Sequence, residues 1–338
     1  MKKYLSLSFL LLALYSHAQN QAQLKPSRVI FYNVENLFDT INDREINDED
    51  FLPASKQQWN TKKYQVKLKH LAKVFAAMLD TTQPLVIGLC EVENRKVLED
   101  LIEQPPLKKF KLGIVHRDSP DERGIDCALL YNKEIIEPVF DATLPVNFPF
   151  ETKDKTRDIL YFKAFMGEEY SIYFFVNHWP SRRGGEEESE HKRLAAANIL
   201  KAKIENIYLG EPYARVVVMG DFNDNPTDQS ILDLENVNKK SKTQPLVNLM
   251  ETHWDKKEFT LKFNGEGDIF DQFIVSENLL DVKSKYMVRH SAAQIFSPEW
   301  LLFNHPKYGT IPNRTYASGK WTGGYSDHLP VYFDIEFK

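Results

Sequence analysis

The stretch "RVVVMGDFND" (Arg215–Asp224) is a β-branched run that stops abruptly in acids and amides. Its apolar part reads as a strand. Taken alone, the end of it is a turn in which an Asx side chain caps the backbone. Its meaning depends on whether the same pattern recurs, and it does. "RVIFYNV" (28–34) runs into Asn33 and Glu35, "PLVIGLCEV" (84–92) into Glu91, and "SIYFFVN" (171–177) into Asn177 and His178. "DQFIVS" (271–276) opens on Asp271, and "VYFDIEF" (Val331–Phe337) follows "SDHLP" (Ser326–Pro330), which puts Asp327 and His328 at the mouth of the last strand. Recurrence at so many strand ends favours one shared site over a set of unrelated turns, because polar groups on a rigid sheet edge are where layered α/β proteins build sites.

Further strands are expected at 126–132 ("DCALLYN") and 159–165 ("ILYFKAF"). Tyr64, Leu68, Leu71, Phe75 and Met78 recur at steps of four and three, so a helix over about 61–79 turns one stripe to a core. A second helix is expected over about 188–208. Short strands alternating with amphipathic helices, without an internal repeat, predict an α/β fold of layered sheets with helices outside them. Residues 41–58 and 289–324 read as long surface loops.

At 338 residues and 42% hydrophobic content the chain buries a substantial core. The first residues, "MKKYLSLSFLLLALYSHAQNQ", have two lysines, an apolar run and small residues at Ser16 and Ala18, the pattern of a cleavable signal peptide over 1–18. The apolar run is shorter than the roughly 20 residues a spanning helix needs. A short linker (19–27) and one catalytic domain (28–338) follow, and the protein is expected to be secreted or periplasmic. The formal net charge of −5 becomes more negative once Lys2 and Lys3 are removed, which excludes coating nucleic acid by bulk charge. Any polyanion must be met locally, by a metal or a few arginines. Cys90 and Cys127 both sit in apolar runs and read as buried thiols, in a compartment that also permits a disulfide.

Glu91 follows a continuous apolar run, so its carboxylate is at least partly buried and must be paired or bind a metal. Oxygen ligands such as Glu35 and Glu91, without a cysteine cluster or a close histidine pair, suit Mg²⁺ or Mn²⁺ better than structural zinc. Such a site supports hydrolysis of a phosphate ester, with an Asp or a His–Asp pair orienting and deprotonating water while Asn, His and Arg bind the phosphoryl oxygens.

At these residues the chain resembles the endonuclease/exonuclease/phosphatase superfamily. The matches run in order: "YNVENLF", "LCEVEN", "NHWPSR", "GDFND", "DQFIVS" and "SDHLPV", together spanning about 28–333. The resemblance implies a four-layer α/β sandwich, two facing mixed β-sheets flanked by helices. It implies that Glu91 is the principal metal ligand, with Glu35 and Asp327 as further acidic ligands. Asn33 would support the metal or the phosphate. His178 would contact phosphate, Asp221 and Asn223 would position water and bind the phosphoryl group, and His328 would be the catalytic histidine bonded to Asp271. Whether Asp221 or His328 takes the proton stays open. Arg157 and Arg182 are candidate phosphate clamps, against the alternative of solvated surface arginines, and Arg123 and Asp126 are placed at the rim. The expected activity is that of an exported nuclease cleaving nucleic-acid phosphodiesters, as a monomer with no stable protein partner. The alternatives are a phosphatase of small phosphates, a phospholipid phosphodiesterase with a membrane-dipping tip at "SPEWLLFNHPKYG" (Ser297–Gly309), and a non-catalytic module that kept the scaffold.

Overall fold

The computed structural model describes residues 26–167, 171–237, 245–284, 286–288 and 293–337. In chain order, β1 (Ser27–Leu37), β2 (Gln83–Val92), β3 (Leu112–His116) and β4 (Asp126–Asn132) belong to one sheet, and β5 (Ile136–Leu144), β6 (Ile159–Met166), β7 (Ser171–His178), β8 (Arg215–Asp221) and β9 (Leu246–Asn248) to a second. A hairpin of β10 (Leu261–Phe263) and β11 (Glu266–Asp268) precedes β12 (Asp271–Ser276), which joins the second sheet. Then β13 (Tyr286–Val288) and β14 (Gln294–Ile295) pair with the last strand of the first sheet. Two more hairpins, β15 (Leu302–His305) with β16 (Gly309–Pro312) and β17 (Tyr316–Ala317) with β18 (Lys320–Trp321), lead into that strand, β19 (Val331–Phe337).

The strand order is β13-β19-β1-β2-β4-β3 in the first sheet and β5-β6-β7-β8-β12-β9 in the second. Each mixes parallel pairs (β1 with β2, β7 with β8) and antiparallel ones. Val29, Phe31, Phe333 and Ile335 of the first sheet meet Phe174, Val176, Met219 and Phe273 of the second in a common buried core. Phe273 and Phe333 touch edge to face with centroids 4.9 Å apart. Alternation in β19 follows from this, with Val331, Phe333, Ile335 and Phe337 inward and the residues between them half-buried.

Helices close the outer faces. α1 (Thr61–Met78) begins at Asn60, whose side chain accepts from the backbone N–H groups of Lys62 and Lys63. Its stripe of Tyr64, Leu68, Leu71 and Phe75 packs with Ile30, Tyr32, Ile87 and Leu89, and α2 (Arg95–Ile102) adds Val97, Leu98 and Leu101. On the other side Ala196, Ala197, Leu200 and Ile204 of α3 (Glu186–Gly210) pack on Phe175, Val216 and Val218. Each fully buried apolar side chain in these layers contributes roughly 1.5–3 kcal/mol. The expected four-layer α/β sandwich is therefore what forms.

The strands and both long helices lie within a few residues of their expected bounds. β3, β5, β9, β10, β11 and β13 were not expected. Pro138 and a bulge between Pro138 and Phe140 break the alternation of β5, and its edge position leaves Val139 and Phe140 exposed. The stretch expected as a loop over 289–324 instead holds β14 to β18 among its described residues, while 289–292 lie outside them. There Leu301 is buried and Trp300 packs on Tyr325 at 5.2 Å, which leaves Phe303 as the exposed member of the supposed membrane tip. Cys90 and Cys127 face each other across β2 and β4 as free, buried thiols. The expected signal peptide lies outside the described residues, among which no helix is long and apolar enough to cross a membrane.

Candidate active site

Register builds the site. In the second sheet His178 pairs with Asp221 across the parallel β7–β8 ladder, and Asp221 pairs with Asp271 across β8–β12, so three polar residues fall in one row. Gly220 permits this approach, because a Cβ there would lie 2.5 Å from the Asn177 carbonyl oxygen. In the first sheet Asn33 pairs with Cys90, and both strands then break register, between Asn33 and Leu37 in β1 and between Cys90 and Val92 in β2. The bulge turns Glu91 out of the apolar interior. Glu35, Asn36, Glu91 and Asn223 all adopt left-handed backbone (φ 49°, 56°, 62° and 51°), and non-glycine residues rarely cluster so unless their surroundings hold them there.

An inner group centres on Asp221. Its Oδ2 accepts from Asn33 Nδ2 at 3.0 Å and lies 3.7 Å from both His178 Nε2 and His328 Nε2, while its Oδ1 accepts from the Asn223 backbone N–H at 3.0 Å. His328 Nδ1 bonds Asp271 Oδ2 at 2.7 Å, and the backbone N–H of His328 donates to Ser326 Oγ, which itself donates to the Asn33 carbonyl. Burial opposes charge on His328, but Asp271 and then Asp221 outweigh it and raise its pKa well above the usual histidine value. Burial, with Arg157 and Arg123 behind it, lowers that of His178, so His178 is neutral. Asp221 is pushed up to about 6 by burial, against the pull of His328. Asp221, Asp271 and His328 bring ligand atoms within 4.8 Å of one another, the spacing of a metal set. Since Asp271 and His328 already satisfy each other, we read this set as acid–base and phosphate-facing groups rather than metal ligands.

An outer group holds carboxylates. Glu91 accepts from Asn33 Nδ2 at 3.3 Å and from the Asn36 backbone N–H at 2.9 Å, and His178 Nε2 stands 4.0 Å away. Glu35 accepts from the Thr315 backbone N–H at 2.6 Å and from Arg314 Nε at 3.4 Å, and Asp327 accepts from Arg314 Nη2 at 2.8 Å. Burial first, then the Asp327 charge, raises Glu35 to about 7. Behind it the buried Lys67 donates to Thr315 Oγ1 and the Tyr325 carbonyl, both at 2.6 Å, and burial lowers its pKa to about 8. Carboxylate oxygens fit a hard divalent cation, and Glu91, which has only neutral donors, is the residue that would hold it, whereas Glu35 and Asp327, expected as further ligands, are engaged by Arg314.

The structure brings Asn33, Glu35, Glu91, His178, Asp221, Asn223, Asp271, Asp327 and His328 together. It does not do so with the two arginines expected as phosphate clamps. Arg157 is buried and gives its donors to the His178 carbonyl (3.2 Å), the Trp179 carbonyl (2.6 Å) and Asp121 Oδ2 (3.1 Å). Arg182 is spent on the Asn223 carbonyl, Asp224, Asp228 and Glu186, with its plane 4.7 Å from the Phe270 ring centroid. Both brace the loops that carry His178 and Asn223. Arg123 pairs with Asp121 at 3.3 Å, and the buried Asp126 bonds His116 at 3.0 Å. Sequence reasoning missed Arg314, Thr315, Ser326 and Lys67. Of these Lys67 carried a signal, since it lies on the apolar stripe of α1 between Tyr64 and Leu71.

The profile of the Endonuclease/Exonuclease/phosphatase family matches residues 28–337. No curated protein sequence matches the chain. Among solved structures, the human Nocturnin catalytic domain is 18% identical, with 94% of this chain and 97% of that one covered at a TM-score of 0.54. A mannosyl-6-phosphatase of Bacteroides thetaiotaomicron is 16% identical over 92% of this chain and 100% of its own, at 0.54. D. rerio TDP2 complexed with a single-strand DNA product is 13% identical over 92% and 98%, also at 0.54. At these identities the likeness speaks to the fold, which agrees with the layers described above. With the family profile covering nearly the whole chain, the protein belongs to the endonuclease/exonuclease/phosphatase family of phosphoesterases.

Proposed function

We propose that the protein is an exported, divalent-metal-dependent hydrolase of phosphate esters, and that it acts on a small phosphate ester carried on a neutral, polar body. The observation that carries the chemistry is the buried His328–Asp271 pair facing Asp221 beside a carboxylate that has only neutral donors, Glu91. A divalent ion held at Glu91 would supply charge stabilisation to the phosphoryl group. Asp221, ionised above about pH 6, takes the proton of the attacking water. Asn33 and the Asn223 backbone N–H fix that carboxylate in place. His328, cationic and oriented by Asp271, faces the phosphoryl group and stabilises its developing charge, while neutral His178 donates a hydrogen bond to it.

For the substrate, support comes from the surroundings. A cavity of about 750 Å³ beside the ends of β2 and β4 is lined by Asp43, Glu45, Asp118 and Glu122 among others. Those carboxylates repel a polyanion, and Arg157 and Arg182 are turned to carbonyls and carboxylates of the chain itself. A relative of the same fold is a mannosyl-6-phosphatase, and a sugar phosphate has the chemistry described. One observation favours the nuclease reading. Exposed Arg183 and Lys155 line a recess of about 200 Å³ just beyond the His178 loop, where a second phosphate of a chain would fit.

A panel of a sugar phosphate, p-nitrophenyl phosphate, bis-p-nitrophenyl phosphate, plasmid DNA and single-stranded DNA, assayed with Mn²⁺, tests the reading. Monoesters should turn over fastest. Cleavage of DNA with no monoester turnover would replace it with the nuclease reading, and turnover undiminished by chelation would remove the metal. Export is checked by expressing the full chain in a bacterial host and sequencing the N-terminus of the mature product, which should begin after about residue 18.

A further inference from the structure

The outer carboxylates do not share one environment. Both oxygens of Glu35 are engaged, one by the Thr315 backbone N–H and one by Arg314, and the same guanidinium reaches Asp327. Glu91 receives only the amide of Asn33 and the backbone of Asn36, and among the described residues no lysine or arginine pairs with it.

Resting on the metal-dependent reading above, we propose that Arg314 is a built-in cation which occupies the Glu35–Asp327 pair, so that the site takes one divalent ion, centred on Glu91, and excludes a second. An arginine fork bridges two carboxylates with directed donors and stays charged at every working pH, so an ion entering between them must displace it. The segment carrying Arg314 is fixed from three sides. Tyr325 donates its backbone N–H to the Asn313 carbonyl at 2.6 Å, Lys67 clamps Thr315, and Gly324 lies so close that a Cβ there would sit 2.2 Å from the carbonyl oxygens of both Asn313 and Arg314. With its side chain nearly half exposed, Arg314 also has room to be replaced without emptying the core.

The test is the stoichiometry of Mn²⁺ binding to the purified chain, read by calorimetry and by loss of the free Mn²⁺ electron paramagnetic resonance signal, with circular dichroism as the check on folding. Wild type is expected to bind about one ion per chain, and Arg314→Gln about two, because the freed carboxylates suffice for a second hard cation. Arg314→Lys should restore a stoichiometry near one. Asp327→Asn should also stay near one, and Glu91→Gln should lose the tight site. Two ions in wild type, or one ion in Arg314→Gln with a native spectrum, overturns the role of Arg314 and leaves the metal reading intact. No binding in wild type overturns both.

Discussion

The two halves of the site solve the burial of charge in opposite ways. Around Asp221 the chain buries two carboxylates against an imidazole and satisfies them with hydrogen bonds from side chains and backbone, so the charges are internal to the group. Around Glu35 and Asp327 it brings in the guanidinium of Arg314, 279 positions from Glu35 in sequence, with the buried Lys67 of a helix behind it on Thr315. The difference teaches where chemistry is expected. Groups whose proton balance is poised by near neighbours transfer protons, and carboxylates bridged by an arginine are held in position.

Predictions follow that contrast. Asp221→Asn removes the proposed base while keeping the side chain's planar shape, and kcat should fall by about 10²–10⁴-fold, the usual worth of a positioned acid or base, with KM little changed. A loss under tenfold, measured by steady-state kinetics on the best ester of the panel, would move the base elsewhere. Stability sharpens the comparison between arginines. Arg157→Ala strips a buried guanidinium from Asp121 and two carbonyls, and should cost about 3–5 kcal/mol in denaturant unfolding. Arg314→Ala removes a nearly half-exposed side chain from half-buried Asp327 and, at 3.4 Å, from buried Glu35, and should cost less, about 1 kcal/mol. Equal costs would mean that Arg314 is a structural brace like Arg157. The smallest effect is in pH. The carboxylate of Asp221 must be ionised to accept a proton, and burial raises its pKa to about 6. Below that value kcat/KM should fall about tenfold per pH unit, with a plateau above it. An acid limb near 4 instead would point to a solvated carboxylate.

Much of this was legible in sequence because it depends on strand ends. Asn33, Glu91, His178 and Asp221 each follow an apolar run, Asp271 precedes one, and the β7–β8–β12 register carries three of these polar residues to one edge. What sequence could not report was the use of side-chain donors by backbone carbonyls. Arg157 and Arg182 are of the right type and near the right motifs, but their partners are carbonyls of Trp179 and Asn223 and carboxylates such as Asp121 and Asp228, visible only once the loops are folded. Arg314 was missed for the converse reason, since its stretch read as a surface loop and nothing in "PNRTYASGK" announces that it lies over Glu35. The acid "GDFND" also divides unexpectedly. Asp221 and Asn223 face the site, while Asp224 is buried against Arg193 and Ser230 and braces the helices behind it.

The most direct test is turnover of a phosphate ester by wild type and His328→Ala side by side in Mn²⁺, each with its circular dichroism spectrum. Removal of the imidazole should lower kcat by at least about 10²-fold while the fold persists. A natively folded His328→Ala protein with wild-type turnover would contradict the account.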